Sequence, residues 1–118
     1  MDFNEYQELA HRTSGNDDST LKEAISMAAL GLNGEAGEIA DYIKKYIYHG
    51  HRLEWKKLKE EAGDVLWYIA ELCTVAGHSL EEVAEYNITK LKARYPEGFS
   101  TERSINRNKF LNEKNYDE

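Results

Sequence analysis

Glu35-Ala36-Gly37-Glu38 and Glu61-Ala62-Gly63-Asp64 are one four-residue word written twice, with an acid at each end and small residues between. Each copy lies inside a long run of helical periodicity, and residues three apart on a helix share a face. Each copy therefore directs two carboxylates the same way. Upstream of the first copy, apolar residues step through Leu21, Ile25, Ala28 and Leu32, and the same alternation continues through Glu35 to Ile39, Tyr42 and Tyr46. Glu35 thus occupies the stripe expected to face a core. The second run reads Leu58, Glu61, Val65, Tyr68, Leu72 and Val75. An acid on an apolar seam requires a proton, a basic partner or a metal. A lone pair of this kind is ordinary solvated helix surface; two pairs in register point to a site.

Working outward, the chain reads as helices throughout. Asp2 with Glu5 forms a capping box ahead of a short helix over about Phe3 to Thr13, followed by the loop Ser14-Gly15-Asn16-Asp17-Asp18. Thr20 with Glu23 opens a long helix to about Tyr48, crossed by Gly31, Gly34 and Gly37. Each glycine costs about 1 kcal/mol against alanine there, so close approach of a neighbour, room beside the acids, and a kink all remain open as reasons. Lys44 and Lys45 suit the carboxyl end of this helix, which Gly50 terminates. A third helix spans about Glu54 to Ala76 and stops at Gly77; a fourth opens with Ser79 and Glu82 and runs to about Arg94, before Pro96 and Gly98. Its seam holds the polar Asn87, with Lys90 one turn on. From Ser100 the chain is polar, with only Ile105, Phe110 and Leu111 as large apolar residues; it reads as a solvated arm that frays or docks on a neighbouring subunit. Arg103 and Arg107 would clamp a phosphate only if this arm were helical. No segment alternates with period two. The expected fold is all-α: a four-helix-bundle-like core of one short and three longer helices, completed by oligomerisation, with residues 1–99 as the domain and 100–118 as a tail.

The bulk composition narrows the function. A chain of 118 residues fits one domain of modest core, which favours self-association. A net charge of −7 argues against a nucleic-acid polymer as partner, yet permits a free nucleotide whose charge a metal bridges. Cys73 is the single cysteine and reads as core filler; His49 and His51 lack spaced partners for a metal site. With no signal peptide and no apolar run long enough for a bilayer, the expectation is a cytoplasmic protein without membrane attachment.

Two consecutive helices joined by a short loop should be antiparallel neighbours. Their seams would then bring Glu35, Glu38, Glu61 and Asp64 to one pocket, where divalent cations balance the charge. All-oxygen ligation suits Mg²⁺, with Mn²⁺ as substitute. Di-iron carboxylate bundles use Glu-x-x-His instead, and neither word carries a histidine at that offset. Magnesium held by carboxylates on one side commonly takes phosphate oxygens on the other and lowers the pKa of a bound water. The chemistry reached from the residues is Mg-dependent hydrolysis of a phosphoanhydride or phosphoester, with the bond left open.

Glu-x-x-Glu followed after twenty-two residues by Glu-x-x-Asp resembles the signature of the MazG-like nucleotide pyrophosphohydrolases. So do Asn4-Glu5-Tyr6-Gln7, Gly34-Glu35-Ala36-Gly37-Glu38, Glu60 through Tyr68, Asn87 with Lys90, and Arg94-Tyr95-Pro96-Glu97-Gly98-Phe99. The resemblance implies cleavage of ribo- or deoxynucleoside triphosphates to monophosphate and pyrophosphate, in a house-cleaning or pool-balancing role. It implies Glu35, Glu38, Glu61 and Asp64 as metal ligands, Asn87 and Lys90 on phosphate or sugar, Tyr68 lining the pocket, and Gln7 reaching the base. It also implies a homodimer or homotetramer whose chains complete one bundle. Glu38 is assigned the orientation or deprotonation of the attacking water. Trp55 and Trp67 are read as packing residues. The rival readings are phosphoribosyl-ATP pyrophosphohydrolase, a non-catalytic module binding metal and nucleotide, and a purely structural helical module.

Overall fold

The Asp2 carboxylate accepts the Glu5 backbone N–H at 2.8 Å, and the Glu5 carboxylate returns to the Asp2 N–H at 3.1 Å. This reciprocal cap starts α1 (Phe3–His11) in the computed structural model, which describes residues 1–15 and 18–107. The helix stops two residues earlier than expected, because the Thr13 hydroxyl and the Thr13 N–H both donate to the Ala10 carbonyl and close a turn. Asn16 and Asp17 of the expected loop lie outside the described residues.

Helix α2 (Leu21–Tyr48) is capped by Thr20, whose hydroxyl accepts the Glu23 N–H. The Thr20 hydroxyl also donates to the Glu23 carboxylate at 2.8 Å, a side-chain variant of the expected box. The three glycines leave α2 unbroken. After the left-handed Gly50, the 49–54 loop is held by Tyr42, whose phenol oxygen accepts the Glu54 N–H at 2.7 Å. Helix α3 (Trp55–Ala76) ends at Gly77, whose positive φ of 78° lets the His78 N–H return to the Cys73 carbonyl. Helix α4 (Leu80–Arg94) follows directly after Ser79, and α5 (Thr101–Ile105) is capped by Ser100. Among the described residues every regular element is helical, so the all-α expectation holds, with a fifth short helix added.

The chain divides into two compact units, Met1–Leu80 and Glu81–Glu118. In the first, α2 and α3 pack antiparallel. Their contacts advance along α2 as they retreat along α3: Gly31 meets Tyr68, Glu35 meets Asp64, and the Tyr42 ring meets Lys57. Gly31 supplies the close approach, since a Cβ there would fall 2.1 Å from the Tyr68 ring. Gly34 and Gly37 face open space. Helix α1 packs on α3 around a core of Ala10, Ala70, Cys73 and Leu80, flanked by Tyr6, Leu66, Trp67 and Ile69. The Trp67 indole N–H donates to the Ala10 carbonyl and the Thr13 hydroxyl, the packing role expected of it. Trp55, by contrast, is 73% exposed and so is not packed within this chain.

The second unit is smaller in content. The Arg103 guanidinium donates to the Arg94 and Ala93 carbonyls, closing the carboxyl end of α4. The start of the expected solvated arm is therefore ordered against its own unit, and Arg103 is not free to pair with Arg107 in a clamp. The Tyr95 and Phe99 rings stack at 5.4 Å. Phe110, Leu111 and the rest of 108–118 lie outside the described residues.

The α2 seam is not buried along its length: Ala28 is, but Leu32, Glu35, Ile39 and Tyr42 are half-buried, and Leu21 and Ile25 are exposed. Among the described residues of Met1–Leu80, the helix that packs most extensively on α2 is α3.

The two kinds of glycine should separate on substitution. Gly31→Ala forces the Tyr68 ring aside and should destabilise by about 1–2 kcal/mol net of improved helix propensity. Gly34→Ala, in open space, should stabilise by up to about 1 kcal/mol. Urea unfolding followed by circular dichroism measures both.

Candidate functional site

The antiparallel register of α2 and α3 carries one carboxylate of the first acidic word to both acids of the second. Oxygens of Glu35, Glu61 and Asp64 all lie within 4.8 Å of one another. Glu35 and Glu61 are half-buried, and Asp64 is exposed. Glu38 is exposed one turn along α2 and does not join this cluster, although its charge reaches Glu35. The four acids are thus arranged as three converging and one flanking.

Like charges at this spacing raise the cost of ionisation. The Glu35 carboxyl is pushed above its ordinary value of 4.5, first by loss of solvent and then by the negative charges of Asp64, Glu61 and Glu38. As pH rises above that value, Glu35 must ionise against its neighbours, so the folded state loses stability relative to the unfolded chain. A divalent cation among the three would cancel the repulsion, and the donor set is all oxygen, as Mg²⁺ or Mn²⁺ prefers. The residues present therefore fit such an ion. One protein cation already approaches: the Lys57 ammonium is 3.4 Å from Glu61, whose side chain is only 16% exposed.

Tyr68 is half-buried one turn beyond Asp64 and packs against Gly31, which is one turn before Glu35. Its ring stands edge-on to Trp67 at 4.9 Å. Gln7 is held by hydrogen bonds within the chain. Its amide donates to the Thr74 hydroxyl and the His78 carbonyl, both at 3.0 Å, and accepts the Leu80 N–H at 2.7 Å. Both amide hydrogens are engaged, so Gln7 braces α1 against the end of α3 and the first residue of α4. Asn87 and Lys90 lie on α4, exposed and half-buried respectively, in the unit Glu81–Glu118.

The structure also brings to or near the acids side chains to which the sequence reading gave no role there. Tyr6 comes from α1 to the acids: burial and then the Asp64 charge push its phenol above the ordinary value of 10.0. Lys57 stands one turn before Glu61, an offset that helix geometry makes legible once the acid is known to matter. Glu71 is 2% exposed and its carboxylate meets the His11 Nδ1 at 3.1 Å, tying α1 to α3 behind the site. On the outer side, Lys44 and then Lys45, each 2.8 Å from Asp41, hold that carboxyl at about 2.

If the cluster holds a divalent cation, the cation binds only the folded chain. Thermal unfolding with Mn²⁺ or Mg²⁺ at about a hundred times its dissociation constant should show about 2.7 kcal/mol of added stability. Glu35→Gln and Glu61→Gln should each abolish most of that gain. The gain should also shrink as pH falls, because protons compete for Glu35.

A family profile for the MazG nucleotide pyrophosphohydrolase domain matches residues 24–99. The Gene 37 protein of Mycobacterium phage L5 is 35% identical over 100 residues, covering 79% of this chain and 88% of the phage protein. No solved structure matches.

Proposed function

The chain belongs to the MazG nucleotide pyrophosphohydrolase family, and from that premise we propose that it hydrolyses nucleoside triphosphates, ribo or deoxy, to monophosphate and pyrophosphate with Mg²⁺. The observation that carries this reading is the convergence of Glu35, Glu61 and Asp64 from two helices to within 4.8 Å. The family generally depends on divalent metal. The cellular role we assign is house-cleaning or nucleotide-pool control. No described helix is long and apolar enough to cross a membrane, and we assign the enzyme to the cytoplasm.

Glu35, Glu61 and Asp64 would hold the metal, with Glu38 as a further ligand or as the base. When bound, the metal neutralises phosphate charge and lowers the pKa of a coordinated water. We assign to Glu38, exposed and flanking the cluster, the role of accepting a proton from the attacking water as its oxygen bonds to phosphorus and the phosphoanhydride P–O bond breaks. Tyr68 shapes the floor on which the ligand rests and fixes the α2–α3 spacing through Gly31. Lys57 offsets charge at Glu61 in the free protein and can turn to the phosphates when a cation takes its place. Asn87 and Lys90 supply phosphate or sugar contacts. Gln7 serves this function through its brace rather than by touching the base.

The test is a panel of ribo- and deoxynucleoside triphosphates with Mg²⁺, read by pyrophosphate release and repeated with chelator. Glu38→Gln should retain metal-induced stabilisation but lose about 10²-fold or more in turnover. Turnover near wild type with metal still bound removes the base assignment. Binding of triphosphate with no pyrophosphate released by the wild type would replace the enzyme with a sensor.

A homodimer or homotetramer belongs to the same proposal. Leu21, Ile25, Leu30, Ile47 and Trp55 are exposed along α2 and at the start of α3, more apolar surface than a small monomer of modest core usually shows to water. Sedimentation equilibrium should give at least twice the 13.6 kDa chain mass, and Ile25→Glu should shift the distribution toward monomer.

A further inference from the structure

Beside the acidic cluster the first unit carries a region of opposite charge. The end of α2, the 49–54 loop and the start of α3 enclose an open cavity of about 440 Å³ lined by Tyr42, Lys45, His51, Arg52, Glu54 and Lys57. Three permanent cations face one carboxylate there, in a chain whose net charge is −7. Lys45 is already shared with Asp41. The Arg52 guanidinium and the His51 ring make no hydrogen bond or ion pair among the described residues. The loop that presents them is nevertheless fixed: Lys45 accepts the His49 and His51 N–H groups on its carbonyl, and Tyr42 holds the Glu54 N–H.

The position of this cavity matters more than its charge. Lys57 lines it and also touches Glu61 at 3.4 Å, so the cavity begins where the acidic cluster ends. A ligand spanning both must be chelated by a cation at one end and present bare anionic oxygens at the other. A polyphosphate chain has that character, and the two regions are about one helical turn, or 5.4 Å, apart along α3. Arginine and lysine are the side chains suited to terminal phosphate oxygens.

Resting on the hydrolase reading, we propose that the Tyr42–Lys57 cavity is a phosphate subsite in which Arg52, with Lys45, Lys57 and His51, receives the end of the polyphosphate farthest from the nucleoside. It makes triphosphates better substrates than diphosphates and holds the pyrophosphate product after the bond breaks. Arg52 is a specificity-determining residue here, separate from the acids that hold the metal.

The experiment uses the full chain with Mg²⁺ and two probes, inorganic pyrophosphate and a nucleoside monophosphate, each titrated calorimetrically into wild type, Arg52→Ala and Arg52→Lys. The expected result is roughly tenfold or greater loss of pyrophosphate affinity in Arg52→Ala, partial recovery in Arg52→Lys, and unchanged monophosphate affinity. The ratio of kcat/KM for a triphosphate over its diphosphate should fall by a similar factor, chiefly through KM. Unchanged pyrophosphate affinity in Arg52→Ala, or an equal loss for both probes, overturns the subsite. If the wild type hydrolyses no triphosphate, the hydrolase reading fails, and the pyrophosphate titration still decides whether this cavity binds phosphate.

Discussion

Mutual repulsion among Glu35, Glu61 and Asp64 is the constraint to which the rest of the first unit answers. Three carboxylates within 4.8 Å are held together by the backbone of two helices and not by attraction among themselves. The helices must therefore be fastened elsewhere. Gly31 against Tyr68 fastens them one turn away, where the absent side chain lets a ring fill the gap. Tyr42 fastens the other side by gripping the loop that connects them. Between these two fixed points the acids have little room to part.

Helix α1 contributes by bracing. Gln7, Trp67 and the Glu71–His11 pair join it to α3 through side-chain bonds to the backbone and between side chains, in a region where the apolar core is small. Such polar ties are directional, so they set the position of α1 more narrowly than apolar contact alone. One consequence is that Tyr6 comes to rest within the field of Asp64. The acidic site thus has a phenol on one flank and an ammonium on another, each delivered by a different element.

Charge is also arranged along the α2–α3 pair. Acids gather at mid-helix and bases at the connecting loop, with the Lys57–Glu61 contact as the border. A uniformly acidic surface would repel a polyanion; here an acidic cluster stands beside a basic cavity. The net charge of −7 conceals this local division, because composition sums over positions that the fold separates.

Local signals were enough to determine α1 to α4, though not the short α5, because apolar spacing, capping residues and terminal glycines act within a few residues of one another. The same local rules put Glu35, Glu61 and Asp64 on facing seams, since an antiparallel pair follows from a six-residue connection. Tertiary structure decided what depends on contacts distant in sequence. It left Glu38 outside the cluster, turned Gln7 into a brace across seventy-odd residues, and joined Arg52 and His51 to Lys45 and Lys57. It also left the α2 seam half-open, because burial requires a neighbour, and no pattern within one helix states how much of its face a neighbour will cover.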